Sequence, residues 1–199
     1  TEIVWHLSGV AGFFYEDKPY AAKRDFDVTV VARAMLTVMT GQPGAWVKTD
    51  GEPKTADSEG KVSMEVKIGS HKVEVQPEVS VATGTRAVFT EWDDGVKANP
   101  RDITVGDDVT LTAKYKRQHL LTVKSEFGQT TGSGWYDEGS TATFSVTSPI
   151  TTPDFMGSLG GKYVFTRWSG DSSETTTSAS IKMDGPKTVE AVWTTDYTQ

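Results

Sequence analysis

A strand-turn-strand block occurs twice in this chain, and no other feature restricts the fold as much. Ala87-Val88-Phe89-Thr90-Glu91-Trp92 returns as Tyr163-Val164-Phe165-Thr166-Arg167-Trp168. Ile103, Val105, Thr110, Leu111, Ala113 and Tyr115 then line up with Ile181, Met183, Thr188, Val189, Ala191 and Trp193. Each copy also opens alike, with Leu36-Thr37-Val38 answering to Leu121-Thr122-Val123. The offset is 85 at that opening, 76 at the tryptophans and 78 at the final strands, so the first copy carries nine extra residues mid-unit and the second carries two after its tryptophan. Length changes of this kind belong in loops. A duplicated unit is a supersecondary module used for reach or assembly, because chemistry rarely needs two diverged copies of one sheet in tandem.

The joint between the copies, Lys116-Arg117-Gln118, is short and polar and lacks the Gly/Ser or Pro run of a flexible tether. The chain therefore divides into an N-terminal arm (1–34), a first repeat domain (35–117) and a second (118–199), with the two domains expected to touch. Thr and Val make up about a quarter of the residues while Leu is scarce, which is the usage of strands. The expected fold is all-β: two tandem small antiparallel domains of β-sandwich or Ig-like type, preceded by an extended N-terminal strand. Alternation is clearest in the closing strand, where Val109, Leu111, Ala113 and Tyr115 share one face and Thr110, Thr112 and Lys114 the other. Asp50-Gly51 marks a tight hairpin turn. The recurring Trp92 and Trp168 are expected in the core.

Composition excludes several functions. Cysteine is absent, so no disulfide or thiolate metal site staples the domains. The sole asparagine, Asn99, precedes Pro100, so no N-glycosylation acceptor exists, and the loss of Asn together with Cys hints at a hot habitat. A net charge of −7 with scattered Lys and Arg argues against a nucleic-acid partner. The 199 residues contain no membrane-spanning stretch and no signal peptide, as a mature or trimmed ectodomain also would.

Residues 1–20 stand outside the repeat and are apolar for a terminus, with Ile3, Trp5 and Leu7 alternating before Phe13 and Phe14. Two readings follow: an edge strand folded back onto the first domain, or a strand donated to a neighbouring subunit, in which these five residues mediate assembly.

Catalytic chemistry finds no foothold. His6, His71 and His119 lie in unrelated settings and read as exposed strand or terminus residues, without a nucleophile elbow or paired-His motif. No catalytic residue is assigned and an enzyme is not expected. Asp93, Asp94, Asp107 and Asp108 sit beside glycines, where turns favour Asp for backbone reasons. The competing reading is a structural calcium site built from these loop carboxylates, although EF-hand spacing is missing; no other cofactor is expected. Trp46, Trp135 and Tyr136 lie near turns, where rings either close loops or stack on a ligand such as polysaccharide.

Residues 119 to 193 resemble the divergent InlB-type B-repeat, a bacterial and archaeal cell-surface module. The residues that carry the resemblance are Leu121-Thr122-Val123, Gly132-Ser133-Gly134-Trp135-Tyr136, Gly139-Ser140, Tyr163 through Gly170, and Met183-Asp184-Gly185-Pro186-Lys187-Thr188-Val189. Residues 35 to 115 are similar but divergent, with Asp93-Asp94 where the second copy has Ser169-Gly170. The resemblance implies B-repeat-like domains in a secreted or surface-tethered protein acting in spacing, adhesion or lattice formation, with no catalytic residues to transfer. The stretch Trp193 to Gln199 also resembles the juncture before a membrane anchor in archaeal surface-layer-type proteins. The function expected is thus a non-catalytic extracellular structural or adhesive protein, part of a self-assembling cell-surface structure, whose partners are other copies of itself or other surface proteins. The alternative is an accessory carbohydrate-binding module of an extracellular hydrolase.

Overall fold

The computed structural model describes residues 2–15, 18–153 and 155–197, with side chains described for 31–153 and 157–197. The first strands are β1 (Glu2–Tyr15), β2 (Lys18–Val31), β3 (Arg33–Met39), β4 (Trp46–Thr49), β5 (Glu52–Thr55), β6 (Lys61–Lys67), β7 (Gly69–Val75), β8 (Glu78–Ala82), β9 (Thr85–Trp92) and β10 (Arg101–Val105). There follow β11 (Val109–Lys124), β12 (Thr130–Thr131), β13 (Gly134–Asp137), β14 (Thr141–Val146), β15 (Ile150–Thr151), a helical turn α1 (Phe155–Ser158), β16 (Lys162–Gly170), β17 (Ser178–Lys182) and β18 (Lys187–Asp196). The fold is all-β, as the composition predicts. Period-two burial produces it locally: Ala142, Phe144 and Val146 are buried along β14 while Thr141 and Thr143 are exposed. At the β4–β5 turn, Asp50 and Gly51 both take positive φ, 53° and 91°, the geometry that closes a two-residue hairpin between Thr49 and Glu52.

Contacts divide the chain into two compact units, Thr1–Val75 with Glu91–Ala113, and Gln76–Thr90 with Lys114–Gln199. In the first, β3 pairs antiparallel with β6 and parallel with the start of β11, Leu36 opposite Val109 and Met39 opposite Thr112. A second sheet has the order β10-β7-β4-β5. The β1–β2 hairpin forms a two-stranded sheet of its own, from Glu2 opposite Val31 to Tyr15 opposite Lys18.

In the second unit, the end of β11 runs parallel to β18, Leu121 opposite Lys187 and Lys124 opposite Glu190, and β16 pairs antiparallel with β18. The sheet β12-β14-β17 contributes Ala142, Phe144 and Val146 to one core with Leu121, Val189 and Trp168 of the other sheet. Phe144 meets Trp168 edge-on at 4.8 Å. Such a ring pair contributes beyond its buried area.

The sequence repeat is a repeat of contacts. Leu36–Val109 and Leu121–Lys187 are the same register positions of the two copies. Trp92 and Trp168, both fully buried, donate from the indole Nε1 to the carbonyls of Ala98 and Thr176, at 3.0 Å in each copy. Thr90 and Thr166 donate their hydroxyls to the carbonyls of Lys114 and Val192. The ring pair Phe89–Tyr115 recurs as Phe165–Trp193, with centroids 5.9 and 6.1 Å apart. Register also explains the unequal lengths. Val47 opposite Val75 matches Thr130 opposite Val146, and Leu36 opposite Met64 matches Leu121 opposite Gly134. The segment from Val47 to Met64 thus stands where the second copy runs only from Thr130 to Gly134, and β5 has no counterpart there. The nine-residue excess is a net figure, because the second copy is the longer one between its β15 and β16.

The two tryptophans are covered by different means. In the first copy Val73 faces Arg101 across the β7–β10 pair; in the second the same positions hold Phe144 and Ala179. Phe144 packs on Trp168 in the second copy, and in the first the Arg101 guanidinium lies 5.4 Å from the Trp92 ring. Asp94 holds that guanidinium through two bonds, 3.0 and 2.7 Å. Arg101→Ala is expected to lower unfolding free energy by about 2 kcal/mol, the range for removing a largely buried packing group. Adding Val73→Phe to that variant should recover part of the loss, with a coupling of about 1 kcal/mol in a denaturation double-mutant cycle; strict additivity would show that the two pairs do not substitute for one another.

Candidate functional site

The structure gives three of the four carboxylates of the suggested calcium set separate tasks. Asp94 is bound by Arg101, Asp93 accepts weakly from the Thr112 N–H at 3.4 Å, and Asp108 accepts from the Met35 N–H at 2.7 Å, while Asp107 is exposed. Among the described residues, no group of three or more His, Asp or Glu side chains is arranged to hold a metal ion. Ile3, Trp5, Leu7, Phe13 and Phe14 all fall on β1, in register with Val30, Val28, Phe26, Tyr20 and Pro19 of β2. Their side chains lie outside the described residues.

The three rings suggested for stacking are held by neighbours. Lys48 Nζ stands 4.3 Å from the Trp46 ring centre, and Arg86 stands 4.5 Å from that of Trp135. Tyr136 donates its hydroxyl to the Gly132 carbonyl at 2.9 Å. Gly132 itself has φ of 95°, and a Cβ there would come 2.4 Å from the Thr143 carbonyl oxygen. Ser133 Oγ accepts from the Val123 N–H, and the Gly139 N–H and Ser140 carbonyl both bond to the Met183 backbone. The motifs that carry the family resemblance are thus occupied in holding the second copy together.

Two histidines depart from the exposed positions expected of them. His119 is 4% exposed, with Nδ1 3.1 Å from the Thr85 hydroxyl and Nε2 3.4 Å from Glu138. His71, with a side chain 10% exposed, places Nδ1 2.7 Å from Asp50 Oδ2 and Nε2 2.7 Å from the Lys67 carbonyl. Both neighbours of His71 are acceptors, so only the imidazolium, with two N–H donors, satisfies both. The Asp50 bond, then the Lys67 carbonyl bond, raise its pKa against desolvation. At Asp50 desolvation works the other way, but bonds from the Lys72 N–H and from His71 outweigh it and hold the carboxyl below its usual range.

A groove that sequence reasoning missed runs along β18. It encloses about 550 Å³ and is lined by Glu190 through Thr195 on one side, with Glu126 and Phe127 opposite and Tyr163 and Ser169 completing it. Phe127 stacks on Tyr163 at 3.7 Å and 8°, and meets Trp193 edge-on at 6.0 Å. Trp193 Nε1 donates to Ser125 Oγ at 3.0 Å, and the Ser125 hydroxyl donates to the Phe127 carbonyl. Thr40 makes the equivalent bond to the Gln42 carbonyl, so Phe127 takes the place of Gln42, as Tyr163 takes that of Ala87 and Glu190 that of Thr112. The first copy folds without the Phe127 and Tyr163 rings. That difference between copies was the available signal.

The segment that forms this groove also carries a family match. Residues 119–197 match the divergent InlB B-repeat domain. The resemblance read from residues 119 to 193 is thereby borne out, and the B-repeat match supports a surface-associated β-domain protein. No curated protein sequence matches the chain. Among solved structures it is similar to the Bacillus anthracis TIE protein, at 9% identity and a TM-score of 0.34, over 95% of this chain and 41% of that one. No described helix is long and apolar enough to cross a membrane.

The His71 arrangement yields a pH dependence. Because its folded pKa is raised, its stabilisation is complete below the unfolded value of about 6.5 and is lost as pH rises through the folded value. Asp50, with a lowered pKa, contributes above the unfolded carboxylate range and loses its contribution as pH falls through the folded value. The difference in denaturant midpoint between the parent and His71→Gln should therefore be largest near pH 5 to 6 and shrink toward pH 9, as about the window these two directions define. A difference independent of pH would mean that the ring is not charged in the folded state.

Proposed function

We propose that the chain is a non-catalytic, extracellular structural protein of a cell-surface assembly, whose repeat copies bear load along the chain. The observation that carries this reading is the parallel pairing of first and last strands in both copies, β3 with β11 and β11 with β18. The chain enters such a pair at one end and leaves it at the other. Tension on the ends then slides the strands past each other, loading all their bonds together, whereas a hairpin pulled at its open end breaks one bond at a time. One strand, β11, is both the last of the first copy and the first of the second.

The absence of cysteine allows force handles to be placed at will. Pulled from its termini in an optical trap, the chain should resist to markedly higher force than when pulled between Gln118→Cys and Pro186→Cys, which peels β11 from β18. Each copy should release about 25 nm of contour. Equal forces in the two directions would refute the load-bearing role.

Assembly with other copies, or with other surface proteins, rests on the β1–β2 hairpin. A two-stranded sheet is marginal by itself and gains by pairing further. Sedimentation should show concentration-dependent association of the full chain that is lost when residues 1–31 are removed; monomers at all concentrations in both would exclude assembly through the hairpin.

A further inference from the structure

The groove on β18 has the form of an open strand edge. Along a strand, successive side chains point to opposite faces, so a groove lined by the consecutive residues Glu190 to Thr195 takes in the backbone edge together with side chains of both faces, and Tyr163 and Ser169 of β16 also line it. The pairing agrees. The parallel ladder with β11 ends at Lys124 opposite Glu190, whereas β16 stays paired to β18 as far as Lys162 opposite Asp196. Beyond Glu190, no described strand pairs with β18 on the β11 side. Alternate backbone groups of Ala191 to Thr195 are therefore left without a strand partner on that side, and the turn carrying Glu126 and Phe127 also lines the groove.

The lining has a sign. It holds two exposed carboxylates, Glu126 and Glu190, and no Lys or Arg. Lys124 stands opposite Glu190 in register, yet neither carboxylate forms an ion pair with a described residue. Trp193 and Phe127 add ring surface, on which a cationic or apolar side chain is favourably placed. At the equivalent positions the first copy has Thr112, Lys114, Lys116 and Arg117 in place of Glu190, Val192, Thr194 and Thr195. The acidic character belongs to the second copy alone.

We propose that the open edge of β18 from Ala191 to Thr195 is a peptide-binding site that takes an extended basic segment as an added strand, its Lys or Arg side chains meeting Glu126 and Glu190. Backbone pairing along the edge supplies the attraction common to any extended peptide, and the two carboxylates select for positive charge.

The full chain is titrated with an octapeptide of alternating Lys and Val, and separately with its Glu-Val counterpart, following tryptophan fluorescence and amide hydrogen exchange. The Lys-Val peptide should bind at least about fivefold more tightly, in keeping with two partly exposed charge pairs, and should slow exchange within residues 191–195. The double variant Glu126→Lys, Glu190→Lys changes only exposed side chains and should reverse the preference. Equal binding of both peptides, binding of the Lys-Val peptide without added protection at 191–195, an unaltered preference in the double variant, or no binding would each overturn the proposal. Because the readout is local, it stands apart from self-association through the hairpin.

Discussion

In each copy the first and last strands lie side by side and run parallel, and the rest of the copy is the connection that this demands. Two parallel strands cannot be joined by a tight turn, so the chain must leave the sheet and return before the pair can close. In the second copy it does so through β13, the β14–β17 sheet and β16, and that excursion supplies the second wall of the core: Ala142, Phe144 and Val146 face Leu121, Val189 and Trp168. Trp168 ties both walls together, since its ring contacts Phe144 while its Nε1 bonds the loop ahead of β17. The same bond from Trp92 to Ala98 performs this in the first copy. Core, loops and strand order thus follow from one pairing.

The periodic positions were legible because burial is written into them. Leu111 and Ala113 were readable as one face of a strand from alternation, and they are buried, as are their counterparts Val189 and Ala191 and the repeated openings Leu36, Val38, Leu121 and Val123. Strand direction was not legible. A parallel and an antiparallel neighbour demand the same alternation, so nothing in Val109 or Lys187 discloses that their partners run alongside in the same sense. Nor did alternation reveal the task of Thr90 and Thr166. On the wet face they look interchangeable with other threonines, but each caps a carbonyl of the neighbouring strand.

Polar residues were harder to place, for a reason that can be traced through Asp94 and His119. Asp93-Asp94 beside a glycine resembles any acidic turn, and what distinguishes Asp94 is a guanidinium from β10 that also lies near the ring of Trp92 on β9. Those partners come from separate strands. His119 follows Arg117 and Gln118, a charged and polar approach that suggests exposure, yet Thr85 and Glu138 surround it from distant parts of the sequence. Local composition carries no record of such partners. Burial of a polar group is decided by what the fold brings to it.

Comparison of the two copies separates what the fold needs from what it permits. Positions kept in both, the tryptophans, the capping threonines and the Phe–aromatic pairs, serve architecture. Substitution that would merely drift should leave a surface of mixed character, but along β18 the changes agree with one another. Gln42 becomes Phe127, Ala87 becomes Tyr163, Thr112 becomes Glu190, and the lysines and arginine of the first copy disappear from the same edge. Each change acts on one groove, where backbone left unpaired by the end of β11 meets aromatic surface and negative charge. An unpaired strand edge is a liability unless it is blunted or used. Here the cationic side chains that would blunt it are absent from the edge itself, and the groove remains shaped for a strand that the chain does not supply from its described residues.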